Sequence, residues 1–483
     1  MPVASVFSPR RLPLALVSCA ILTLVGCAHH DYAVYEAKPI APEKIAAAFD
    51  ARSLDDPGLR KFLTENLHRD FSTGANVTWD FENLCWVAFY FNPTLDVARA
   101  QWETARASIK TAGERPNPTL TLTPGFSANP GGASPWLPAL GGDLIIETAG
   151  KRDLRGETAR LNAEAARQTV FAAAWQVRGE LRRALLELSL AENRATQARA
   201  VLEPQQKILD LLEQRRAAGA GTAAESATAR LALIRAEAAR ADAERQVPPA
   251  RQRAALALGL PAARLARLPT PELRAPVSPT ELAAARRLSL QSRADVLAAL
   301  ARYAAADSAL ALEIAKQHPD IHLGPGYQWD QGQSKWTLGL TLELPLFNRN
   351  EGAIAEAVAR RREAAAEFTA AQAQVLAEID EAAAALTAAS GQTVNLRRVQ
   401  AELENQRTGV ESRLKAGVAS QLDLETARLE TTASEQALAE AANQTALAAG
   451  QLEDALQIPL ANLGGLAPAE QLQLVVPIAK KSP

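Results

Sequence analysis

The chain has 483 residues, enough for two or three ordinary domains or one long repetitive one. Its 52 Lys+Arg nearly balance 54 Asp+Glu, and a net charge of -2 gives no bulk electrostatic case for binding nucleic acid. Aromatic residues are only 5% and Met occurs once, so close-packed Ala-rich helices are favoured over a bulky core.

The N-terminus reads as a targeting segment. Arg10 and Arg11 are a positive n-region, and Leu12 to Val25 an apolar run too short to span a membrane. Leu24-Val25-Gly26-Cys27 resembles a bacterial lipobox, so residues 1–26 are expected to be removed and Cys27 to carry lipid. Ala28, rather than Asp, follows it, which by that resemblance implies sorting to the outer membrane. Cys19 leaves with the signal, so Cys85 remains alone and no intrachain disulfide is expected. His29 and His30 are an isolated pair in a linker, not a metal site.

Residues 27–79 read as an extended linker with short helices, and 80–91 as a short amphipathic helix ending at Asn92-Pro93. Pro93 starts a second helix well, running to about Ala112. Pro116-Asn117-Pro118 breaks it, and Thr119-Leu120-Thr121-Leu122-Thr123 alternates as a strand does. A loop from Ser127 to Pro138 leads to a second strand, about Ala139 to Glu147. Gly150-Lys151-Arg152 opens a very long helix with apolar seam Val170, Val177, Leu181, Leu188, Leu202 and Leu209, in which Pro204 is expected to make a bend. Gly219 and Gly221 turn the chain into a shorter helix that returns to Leu258.

After a Pro-interrupted link at 262–290 the plan repeats. A helix from Ser292 to Lys316 ends before His318-Pro319, and strands at 320–329 and 335–344 flank a tight turn. Glu351 to Leu414 is then a Pro-free stretch of Ala, Glu, Gln and Arg, all good helix formers. Its larger apolar residues, Phe368, Val375, Ile379, Leu386, Leu396, Val399, Leu403, Val410 and Leu414, fall mostly three, four or seven apart. As one helix it would be a rod of roughly 95 Å at about 1.5 Å per residue. Gly417 turns it into a helix from Ser420 to Leu456.

The repetition is an internal duplication. Gly219 pairs with Gly417, Leu258 with Leu456 and Pro261 with Pro459, all at an offset of 198. Leu95 with Val296 and Pro118 with Pro319 are offset by 201, so a difference of three is expected in the hairpin loop. The expected division is a signal at 1–26, linker 27–79, first repeat 80–261, link 262–290, second repeat 291–460 and tail 461–483.

Strands of about ten residues suit a tilted membrane crossing. Two hairpins give four strands, too few to enclose a channel, and open edges cannot stay unpaired in lipid. Closure therefore calls for several chains, and three would give twelve strands. Trp136, Tyr327, Trp329, Trp336 and Phe347 lie at or near strand ends, as interfacial girdles do.

Asn92-Pro93, Pro116-Asn117-Pro118, Gly150-Lys151-Arg152, Leu344-Pro345-Leu346-Phe347-Asn348-Arg349 and the two helix turns resemble the TolC-like outer-membrane efflux family, in its lipoprotein branch. The likeness covers about residues 80 to 460, and the general pattern is nearer the heavy-metal, CzcC-like branch than the multidrug one. It implies a mainly α fold with a small β part: a trimeric 12-stranded outer-membrane β-barrel continued by a periplasmic α-helical barrel. It also implies a passive exit duct for metal ions or drugs, partnered by a periplasmic adaptor and an inner-membrane RND-type pump. An exit channel for one-step (type I) protein secretion and a non-transporting lipidated coiled-coil scaffold stay open as alternatives.

The stretch Arg413 to Asp423 matches the family's tip motif, where adaptor hairpins dock, which points to Arg413, Leu414, Gly417, Val418, Ser420 and Asp423. Gly417 suits a left-handed turn, and Ser420 with Asp423 forms a capping-box pattern. The first-copy equivalents are Arg215, Gly219, Thr222 and Glu225, though Arg216 and Ala224 there replace Leu414 and Leu422. Glu411, Asp423 and Glu425 are candidates for a ring of charge at the entrance. No catalytic constellation, phosphate loop, cofactor motif or metal-ligand spacing emerges around His68, His318 or His322, so no enzyme is expected.

Overall fold

The structure is a computed structural model that describes residues 39–71, 79–128, 135–265, 268–271, 277–330 and 332–461. The signal segment, Cys27, the His29-His30 pair and nearly all of the C-terminal tail lie outside the described residues. Residues 1–51 form a unit of their own, in which α1 spans Pro42–Ala51.

The rest of the chain forms a second unit. Helix α2 (Pro57–Leu67) is capped by Asp56, which accepts from the Leu59 amide at 2.9 Å. α3 (Phe81–Phe91) is capped by Asp80, and α4 (Pro93–Gly113) by Asn92 with Pro93 in its first turn. Strands β1 (Thr119–Phe126) and β2 (Trp136–Ile146) lead into α5 (Lys151–Ala217) and the return helix α6 (Ala223–Leu258). The second copy comprises α7 (Pro279–Ser292), α8 (Ala294–Ala315), β3 (Ile321–Asp330), β4 (Gln333–Leu342), α9 (Glu351–Lys415) and α10 (Gln421–Leu456).

Three expectations change. The stretch 262–290 is more than a link: Ala262–Arg264 form a 3-10 turn, and α7 begins inside it on a Ser278–Glu281 capping box. Helix α5 runs unbroken through Pro204, and α6 through Pro248 and Pro249. Packing of long helices thus overrides the loss of single backbone bonds at proline. Finally, the offset of three is not confined to the hairpin. Phe126 opposite Trp136 matches Tyr327 opposite Trp336, shifts of 201 and 200, so the first hairpin loop holds one extra residue. The other two belong to the long helices, 67 residues in α5 and 65 in α9.

Helix α5 is the central element, packed against α4, α6, α8 and α10, while α9 packs on α8 and α10. One apolar core joins Phe89, Leu95, Val170, Leu181 and Leu258; another joins Val296, Val375, Ile379, Leu452 and Leu456. Burial of the expected seam is uneven. Val375, Ile379, Leu386 and Val410 are buried, but Val399 is exposed and Leu396 and Leu403 are only half-buried. Among the described residues no helix is long and apolar enough to cross a membrane.

Candidate functional site

The four strands form one antiparallel sheet in the order β1-β2-β3-β4. Side chains alternate across a pleated sheet, so the register decides which residues share a face. One face is almost wholly apolar. It aligns Leu122, Leu140, Tyr327 and Trp336 across the strands, and Ile146, Ile321 and Leu342 near one end. Phe126, Leu144, Leu338 and Leu340 complete it, and most of these residues are open to the surroundings, Trp336 at 79% and Leu338 at 75%. Phe126 and Trp136 meet edge-on at 5.2 Å, and Tyr327 and Trp336 at 4.8 Å, an aromatic clasp repeated in both hairpins. Phe347, just beyond β4, is fully exposed.

The opposite face is polar or small, apart from Leu137 and Ile145. It carries Thr119, Thr121, Thr123, Gly141, Asp143, His322, Gly324, Gly326, Gln328, Lys335, Thr337, Gly339 and Thr341. His322 Nδ1 lies 3.0 Å from Asp143, and Lys335 donates to Asp330 at 2.7 Å. A sheet exposed on both sides, oily on one and wet on the other, is built to separate lipid from water.

A polar collar joins this sheet to the helices. Gly150, at φ 70°, starts α5, and Asn350, at φ 61°, starts α9 in the same left-handed conformation. Lys151 is buried and donates to the His318 carbonyl at 2.6 Å and to Asp320 at 2.8 Å. Thr148 binds the same segment through Asp320 and the Pro319 carbonyl. Arg155 grips Glu147 and the carbonyls of Ala112 and Glu114.

The two turns at the far ends of the long helices share one geometry. Gly417 has φ 72°, and the Val418 amide reaches back to the Arg413 carbonyl at 2.9 Å; Gly219 has φ 76°, and Ala220 reaches Arg215 at 2.9 Å. Both turns close helix ends with a glycine that takes a left-handed φ at little cost. Ser420 and Asp423, like Thr222 and Glu225, form complete reciprocal capping boxes. The hydrogen bonds from Ser420, its backbone amide first, hold the Asp423 carboxyl below its ordinary range, and Thr222 does the same to Glu225. Val418 is exposed at 78% and Arg413 is open, while Leu414 is half-buried.

The three candidate ring carboxylates differ. Asp423 is engaged in its capping box, and Glu411 accepts from Arg407 at 2.6 Å. Glu425 is fully buried, accepting from Gln421 and Arg428, each at 3.0 Å, so within the chain it does not stand on an open face. Near these turns Pro204 of α5 shares a cleft with Arg397, Arg407, Arg428 and Glu435 of α9 and α10.

Sequence reasoning missed an ionic knot that ties the halves together. Glu453 of α10 is buried and accepts from Arg182 at 2.6 Å, Arg178 at 3.0 Å and the Leu460 amide at 3.0 Å. Arg178 also forks onto Glu82 of α3, and Arg182 onto Asp454. The guanidinium of Arg178 stacks 4.7 Å above Phe81. The signal that could have found it is a pair of mid-helix glycines. A Cβ on Gly179 would meet Asp454 at 2.6 Å, and one on Gly450 would meet Arg182 at 2.9 Å. Among the described residues no group of three or more His, Cys, Asp or Glu could hold a metal ion.

The model of the outer membrane efflux protein family matches residues 90–260 and 285–456, and the chain belongs to that family. The outer membrane protein VceC of Vibrio cholerae is similar in fold, with TM-score 0.64 and 22% identity, covering 79% of this chain and 96% of VceC. The outer membrane channel MtrE of Neisseria gonorrhoeae, in its open state, gives 0.64 and 20%, covering 79% and 89%. The channel CmeC of Campylobacter jejuni gives 0.62 and 15%, covering 88% and 94%. A comparison with curated proteins finds no match. Family and fold are those of outer-membrane efflux channels rather than of enzymes.

Proposed function

We propose that three copies of this chain close into a 12-stranded barrel and form the passive outer-membrane exit duct of a tripartite efflux system. The observation that carries this reading is the sheet, with one face exposed and apolar, the other polar or glycine-lined, and β1 and β4 as its outer strands. The long helices extend the duct into the periplasm, and an RND-type pump supplies the energy. A periplasmic adaptor docks at the turns, where Arg413 offers charge and Val418 an exposed apolar contact. Cys27, within its lipobox-like stretch, carries the lipid anchor.

Planar-bilayer recording tests the duct. Purified protein is expected to give discrete conductance steps, which enlarge when Glu411 and Asp423 are neutralised. Protein that conducts in neither form overturns the reading. Cys27→Ala is expected to abolish incorporation of labelled palmitate while leaving conductance intact.

A further inference from the structure

The internal duplication supplies a template for the outer edges of the sheet. Leu120 opposite Gly142 in the first hairpin corresponds to Ile321 opposite Leu342 in the second. β1 therefore maps on β3 with a shift of 201, and β2 on β4 with a shift of 200. Between the hairpins, β2 pairs with β3 through Leu140 opposite Tyr327, Leu144 opposite Leu323 and Ile146 opposite Ile321. The same shifts carry this junction onto β4 and a β1 strand. They place Leu340 opposite Phe126, Leu344 opposite Leu122 and Leu346 opposite Leu120.

Two independent features agree with the result. Every residue so paired comes from the apolar face, whereas a slip of one would set that row against the threonine row. Leu344 and Leu346, 66% and 69% exposed, also extend the row Trp336, Leu338, Leu340, Leu342 past the last pair with β3, at Leu342. Pro124 does not forbid pairing on both sides of β1, because its counterpart Pro325 sits in the central strand β3. A sheet of four strands is too narrow to close on itself, so the β1 strand must come from another copy.

We propose that β4 of one copy pairs antiparallel with β1 of the next in this register, with Leu344 facing Leu122. This rests on reading the protein as a ring of three copies.

Cysteine pairs in the full-length chain test it. Residues directly opposite in an antiparallel ladder lie within disulfide reach, and diagonal neighbours do not. Cys85 is buried and does not compete. Oxidation of Leu344→Cys/Leu122→Cys, and of Leu340→Cys/Phe126→Cys, is expected to give covalent dimers and trimers in denaturing gels. The offset pair Leu344→Cys/Leu120→Cys should give about tenfold less. Stronger linkage of the offset pair overturns the register. Three-copy particles by native mass with no linkage from any pair overturn the strand pairing. Single-copy particles overturn the ring itself, and with it the proposed duct.

Discussion

Glu453 shows what one buried carboxylate does here. It balances two guanidinium groups that are themselves almost wholly buried. Removing one member of such a cluster leaves charge stranded in a poor solvent, which costs about 3–5 kcal/mol. Glu453→Ala is therefore expected to lower the melting temperature of detergent-solubilised protein markedly, with Glu453→Gln milder because it keeps an acceptor. The neighbouring Asp454 adds a pH signature. Burial pushes its pKa up to about 6, against the pull of Arg182. An acid that holds its proton more tightly when folded favours the fold below the ordinary carboxylate pKa of about 4, and that contribution fades as pH rises through about 6. Between those values, Asp454→Asn should make the melting temperature less dependent on pH than in the parent protein.

At the level of elements, the turns are built from redundant caps. Ser420 satisfies the Asp423 amide at 3.2 Å, and Asp423 satisfies the Ser420 amide at 2.8 Å. Ser420→Ala is expected to weaken the start of α10 by about 1 kcal/mol. Hydrogen exchange should accelerate over residues 420–424 and stay unchanged at the equivalent Thr222 turn. These elements were legible in the sequence because their signals are local. Asn92-Pro93, the two turn glycines and the threonine-leucine alternation each fix a boundary within a few residues. The long helices were legible through composition, and the duplication through matched Gly and Pro positions. What stayed hidden depends on distant neighbours. Pro204 reads as a bend, yet packing carries α5 straight through as one helix. Glu425 reads as a surface charge, yet its position between helices buries it. Arg178 and Arg182 look like any helix-surface pair until α3 and α10 arrive to enclose them.

For the whole molecule, the two faces of the sheet make opposite predictions from adjacent residues. Leu338→Arg places charge on the apolar face and should cost about 2–4 kcal/mol if it lies near the bilayer midplane. The expected result is loss of assembled protein from the outer-membrane fraction. Thr337→Arg, one residue away, points to the wet face and should leave assembly intact while lowering single-channel conductance. Equal assembly defects in both would contradict the assignment of the faces. The collar around Lys151, Thr148 and Asp320 fixes how this sheet meets the helices, which explains why Gly150-Lys151-Arg152 stands where it does.

The wet face also carries Gly125, Gly141, Gly324, Gly326 and Gly339, so much of its middle is bare backbone. A wall without side chains offers no grip. It presents neither a fixed charge to bind a passing ion nor an apolar ledge to hold a drug. A solute at this level would meet a smooth sleeve and be sorted by girth alone, leaving any chemical discrimination to the machinery that loads the opposite end.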